Sequence, residues 1–141
     1  MEQYHLLLVD YEENNLKAIT ESLKGIPNVK FLVEKDGKSA LSLLTHYPLD
    51  IIISNIYLPK LGGIKLCKMI REKRSFDDLF IIGLTSYKGE SNSPILQKAG
   101  YDVFIAIPSK IERLRKVVCD YLKYRTMIVE TQQKEEFKVT Q

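Results

Sequence analysis

No stretch of these 141 residues approaches the ~20 consecutive apolar residues that a membrane span requires. The N-terminus "MEQYHLLLVDYEE" has no basic leader, and its apolar run is too short for a secretory signal. A soluble, cytoplasmic protein is therefore expected. There are only two cysteines, Cys67 and Cys119, far apart and in no CxxC or other metal-ligand spacing. They read as free thiols on helices in a reducing compartment. Charge of one sign is lacking too. Against 21 Lys and Arg stand 18 Asp and Glu, a net of +3, and that balance calls for neither nucleic acid nor an anionic membrane. His5 and His46 are isolated, so no metal site and no Ser-His-Asp or Cys-His arrangement can be assembled. Neither a GxGxxG nor a Walker motif is present, and there is no internal repeat.

What is present is alternation. Hydrophobic residues make up 45% of the chain, enough for one core. Short β-rich runs, "YHLLLVD", "NVKFLVEK", "LDIIIS", "LFIIGLTS" and "YDVFIAIP", take turns with helical stretches. In "ENNLKAITESLKGI", Leu16, Ile19 and Leu23 recur at helical spacing, with Asn14 or Asn15 as the expected cap and Gly25 and Pro27 as the stop. "GKSALSLLTHY", "IKLCKMIREK", "SPILQKAG" and "SKIERLRKVVCDYLKYR" supply four more helices. Five β-α units predict an α/β fold: a flavodoxin-like, doubly wound parallel sheet of order 2-1-3-4-5 with helices on both faces. One domain is expected over residues 1–124. Residues 125–141 form a polar tail that either extends the fifth helix or is disordered.

In such a sheet ligands bind beyond the carboxyl ends of the strands. The first strand ends at Asp10-Tyr11-Glu12-Glu13. The third delivers Ser54-Asn55 into the turn Leu58-Pro59-x-x-Gly62-Gly63, the fourth ends at Thr85-Ser86 and the fifth at Ile107-Pro108. In this ordered set, from residue 4 to about 123, the chain resembles the receiver domains of two-component response regulators. The resemblance implies a signalling module, no enzyme, worked by phosphorylation of an aspartate with magnesium bound beside it.

The chain departs from that pattern at three positions. The family's acidic pair after the first strand has Tyr11 as its second member. Its phosphoryl-accepting aspartate is Asn55, and its lysine before the last proline is Ile107. Asp10 and Thr85 remain. An amide oxygen is neutral and the amide nitrogen's lone pair is delocalised, so Asn55 is not expected to act as the nucleophile. Magnesium wants hard, preferably anionic oxygens. Each missing carboxylate forgoes ~8 kcal/mol of gross attraction to a dication at ~4 Å and ε ~20. Without lysine no cation is left to neutralise phosphoryl oxygens. The three changes agree, and predict a degenerate pocket of Asp10, Tyr11, Asn55, Thr85 and Ile107 with no metal and no cofactor.

The remaining readings concern partners. Phe104 stands where receivers carry a switching aromatic, with plain packing as the alternative. Lys110 and Arg113 open a fifth helix whose basic residues alternate with Glu112 and Asp120, a solvated face or a surface for an acidic partner. The leading expectation is a binding module that meets a signalling protein through the face of the fourth helix, fifth strand and fifth helix. The alternative is the sensory or dimerising front end of a longer protein. Leu114, Val117, Tyr121, Tyr124 and Ile128 offer a short heptad seam for a homodimer. A flavodoxin-type cofactor site is disfavoured, because "DYEEN" presents acids where a phosphate cradle is needed.

Overall fold

Of five short strands the central three are buried on both faces, because their side chains alternate between two separate apolar layers. The computed structural model describes residues 3–86 and 94–140, with side chains as far as 136. The strands are β1 (Tyr4–Val9), β2 (Val29–Glu34), β3 (Ile51–Asn55), β4 (Phe80–Thr85) and β5 (Val103–Ala106). They pair in parallel in the order β2-β1-β3-β4-β5, the predicted topology. The helices are α1 (Glu13–Leu23), α2 (Gly37–Leu44), α3 (Gly63–Arg71), α4 (Pro94–Ala99) and α5 (Glu112–Thr140), with a 3-10 turn at Arg74–Phe76. Ser93, read into the fourth helix, and Tyr87 lie outside the described residues.

The alternation can be followed residue by residue. Leu6, Leu8, Ile51, Ile53, Ile82 and Leu84 face α1 and α5, where they meet Ile19, Leu23, Leu114 and Val118. Leu7, Val9, Ile52 and Ile81 face the other way, onto Ala40, Leu66, Ile70 and Leu96 of α2, α3 and α4. A fully buried Leu or Ile contributes ~1.5–3 kcal/mol of transfer free energy, so the central strands hold the fold.

Two expectations change at the helix ends. The α1 helix starts at Glu13, with Glu12 as its N-cap and no side-chain cap bond. Asn14 and Asn15 therefore sit inside the first turn. The carboxylate of Asp10 takes the Glu12 N–H instead, and Glu13 supplies the negative charge that a helix start favours. The fifth helix begins three residues later than "SK" suggested, after turns at 107–111, and then passes position 124 without a break.

That continuation is bound to the sheet. Arg125 Nη2 lies 3.0 Å from Asp50 Oδ1 and its Nη1 donates to Tyr121 Oη at 3.1 Å. Tyr4 Oη and Thr126 Oγ1 are 3.0 Å apart. The Tyr121 ring stacks on Phe80 at 4.1 Å. The first half of the expected heptad seam is thus not free: Leu114, Val117 and Tyr121 belong to the domain's own core. Their periodicity arises from packing on the sheet. Among the described residues no helix is long and apolar enough to cross a membrane.

Candidate functional site

Asp10 directly follows β1 and Asn55 ends β3, two strands that are neighbours in the sheet. Parallel pairing therefore brings together two residues 45 positions apart. Asp10 is fully buried. Its Oδ1 accepts the Glu12 N–H at 3.0 Å and its Oδ2 accepts Asn55 Nδ2 at 3.3 Å. Asn55 Oδ1 in turn accepts the Tyr57 N–H at 2.9 Å. The side chain of Asn55 thus uses both ends, donating to a carboxylate and accepting from the backbone. An amide can do both at once. An ionised aspartate has no proton to offer Asp10.

Burial raises the pKa of Asp10 above its ordinary value. The Glu12 N–H and the amides of Asn15 and Asn55 oppose that rise, while the Glu12 charge adds to it. Tyr11, next in sequence, turns outward and is 47% exposed. A hydrogen bond to Glu12, and the charge of that acid, raise its pKa. Thr85 is buried at the end of β4, and its carbonyl accepts the Ile107 N–H at 2.8 Å. The Ile107 side chain packs with the core that α1 and α5 cover.

The loop after β3 is held by close backbone approach. A Cβ on Gly63 would lie 2.5 Å from the Asn55 carbonyl oxygen, and one on Gly37 would overlap Leu61. Both positions exclude any larger residue. They hold the ends of α3 and α2 against the turn that carries Tyr57, Leu58 and Pro59.

The donor set does not suit a magnesium ion. Asp10 is the one carboxylate among the five predicted pocket residues, both its oxygens accept hydrogen bonds, and the Asn55 oxygen is committed to Tyr57. Among the described residues no group of three His, Cys, Asp or Glu is arranged to hold a metal. Cys67 is buried on α3, and desolvation pushes its thiol up to about 12, so it is protonated and inert at neutral pH.

The other predicted residues lie apart from this cluster. Phe104 is half-buried with its ring 5.2 Å from Tyr101, in the layer opposite Ile107. Lys110 and Arg113 are exposed. Sequence reasoning missed two features. One is the link between Arg125 and Asp50, invisible because 75 positions separate them. The other is an open groove of about 900 Å³ lined by Tyr11, Tyr57, Leu58, Ile64, Lys68 and Met69, among others. A signal for it was present in the sequence: a polar strand end followed by aromatic and apolar residues at 57, 58 and 64, of which the structure exposes Tyr57 and half-buries Leu58 and Ile64.

A family model described as the response regulator receiver domain matches residues 6–119. The chain is 30% identical over 133 residues to the uncharacterized transcriptional regulatory protein YrkP of Bacillus subtilis, a match that covers 94% of this chain and 55% of that protein. It is 33% identical over 106 residues to Stress response regulator protein 1 of Debaryomyces hansenii, covering 74% and 44%. The chain spans about half the length of these curated relatives. Among solved structures, the receiver domain of Francisella response regulator 1452 aligns with a TM-score of 0.73 at 25% identity, over 88% of this chain and 99% of that one. A putative response regulator from Chloroflexus aurantiacus aligns with a TM-score of 0.76 at 23% identity, over 86% and 99%.

Proposed function

The chain belongs to the response regulator receiver family, and we propose that it is a degenerate member of it, a signalling module that no aspartyl phosphorylation controls. The observation that carries this reading is the Asn55 amide, bonded at one end to Asp10 and at the other to the Tyr57 N–H. A pocket satisfied by its own hydrogen bonds, with no carboxylate nucleophile at position 55 and no lysine at 107, offers a phosphoryl group neither a bond to form nor a charge to meet. Asp10 is retained as a buried acceptor that orders the start of α1 and the side chain of Asn55. On this reading Thr85 and Ile107, both buried, are the remaining members of the silent site. The module has no enzymatic activity of its own and works in the cytoplasm.

Its output is contact with another signalling protein. The face of α4, β5 and α5 is the proposed surface, with Ile95 63% exposed and Lys98, Lys110 and Arg113 exposed around it. Phe104 packs beneath it. A second reading, the front end of a longer signalling protein with residues 125–141 as its connecting or dimerising helix, is favoured by the unbroken run of α5 to Thr140.

The test is chemical. Incubation with acetyl phosphate, or with a cognate histidine kinase, should leave the intact mass unchanged, and beryllofluoride should move no pocket resonance. An acid-labile gain of ~80 Da, about one phosphoryl group, would overturn the reading.

A further inference from the structure

The position that lost its acid has gained a wall. Tyr11 does not fill the pocket beside Asp10. It stands half exposed and forms one side of the groove that continues along the outer face of α3. Tyr57, 51% exposed, is set by the Asn55 hydrogen bond to its backbone N–H. The same two departures that empty the phosphorylation site therefore build an apolar surface next to it.

The lining identifies an occupant. The floor and walls are Ile56, Leu58, Pro59, Ile64 and Met69 with the two tyrosines. Aromatic rings and Met are enriched at the centres of protein interfaces. Charge enters through Lys65, Lys68 and Glu72. None of the three is in an ion pair among the described residues, although Lys68 and Glu72 stand four apart on one helix, the spacing at which such pairs form. The groove therefore presents two uncommitted ammonium groups beside an apolar trough. The first turn of α3, at its mouth, carries no acidic residue and no side-chain cap. An anion is favoured there.

Other classes of ligand fit less well. Two lysines are too few for a nucleic-acid backbone, which engages several phosphates at once. A small molecule is normally enclosed over most of its surface, whereas this groove is open along its length with both tyrosine walls about half exposed.

We propose that the groove between Tyr11, Tyr57 and the outer face of α3 docks an acidic segment of a partner protein. One or two apolar side chains of that segment seat between the tyrosines and Met69, and its carboxylates meet Lys65 and Lys68. This contact is separate from the α4-β5-α5 face and rests on the degenerate reading, because a Tyr11 and Asn55 site in service as a phosphorylation centre would be occupied by its own chemistry.

The test is selection of a phage-displayed library of random peptides about 12 residues long on the full chain. Enriched peptides should carry Asp or Glu around an aliphatic or aromatic pair and compete with one another. They should shift the amide resonances of Tyr11, Tyr57, Ile64 and Lys68. The double variant Lys65→Glu, Lys68→Glu should bind them at least ~10-fold more weakly with an unchanged melting curve, and Tyr11→Asp should weaken them too. Absence of enrichment, peptides without an acidic bias, shifts confined to Ile95, Lys110 and Arg113, or unaltered binding by the double variant would each overturn the proposal. So would charge-dependent retention of duplex DNA or anionic vesicles with no acidic peptide enriched. Uptake of a phosphoryl group would overturn the degenerate reading and this proposal with it, whereas a failed selection on a chain that takes up no phosphoryl group would overturn the docking proposal alone.

Discussion

Asn55 is the residue on which the functional reading turns, and its chemistry is testable by the smallest possible change. Asn55→Asp removes the donor to Asp10 Oδ2 and places a second carboxylate against a buried one. Like charges at that range raise both acids' affinity for protons, on top of the rise that burial already gives Asp10. The native state then binds more protons than the unfolded chain, so stability falls as pH rises through the raised folded values. The variant should be ~1–2 kcal/mol less stable than the parent at pH 7, and the gap should close towards pH 4, where both acids are protonated. Denaturant unfolding across that range measures it. A variant as stable as the parent at neutral pH, and phosphorylated by acetyl phosphate, would show that the pocket lies one substitution from activity. That Asp10 and Asn55 meet was legible in the sequence, because neighbouring strand ends carry their residues to one place in the fold. The bonds between them were not. That Asn55 reaches Tyr57 depends on the turn after β3, and that Asp10 displaces an asparagine cap depends on the entry angle of α1.

Among the elements, α5 departs most from its sequence signature. The five-residue apolar repeat from Leu114 to Ile128 suits a coiled-coil seam and a packed surface helix equally well. Burial decides for its first part, since Leu114 is fully enclosed by the domain itself and Val117 and Tyr121 pack on the same core, while Tyr124 is 57% exposed. What carries the helix beyond the sheet is a polar cluster. Arg125 meets Asp50 and the Tyr121 hydroxyl, and its guanidinium lies 5.9 Å from the Tyr4 ring centre and 5.8 Å from that of Tyr121. Asp50 keeps the His5 N–H if the arginine is removed, which limits the damage. Arg125→Ala should cost ~1–2 kcal/mol, with loss of helical signal from the C-terminal turns. Arg125→Lys should recover less than half of it, because an ammonium cannot span both partners and stack as well. An alanine variant with unchanged unfolding and unchanged helicity would mean that the cluster does not hold α5. No sequence pattern announces such a contact, because its members come from the starts of β1 and β3 and from a helix more than 70 residues later.

At the scale of the whole molecule, the parallel, doubly wound sheet followed from alternation, and the structure shows the expected one of the two common strand orders. That topology is shared with phosphorylated receivers, so it cannot distinguish an active pocket from a silent one. Ion binding can. A ligand bound only by the native state adds RT ln(1 + [L]/Kd), about 0.4 kcal/mol when its concentration equals Kd. With one carboxylate left and its oxygens engaged, magnesium at ~10 mM should produce no resolvable shift in melting temperature. An EDTA-reversible rise would mean that Glu12 or Glu13 has joined Asp10 in a rebuilt site.

The closed hydrogen-bond bridge through Asn55 also bears on quantity. A receiver switched by a covalent group can be abundant and idle, since only the modified fraction competes for its partner. On the degenerate reading no covalent step divides the population into idle and active fractions. Every folded copy is on that reading competent, and partner occupancy follows total concentration against Kd alone. Regulation then passes from chemistry to supply: how fast the chain is made, how soon it is destroyed, and how many partner molecules share it.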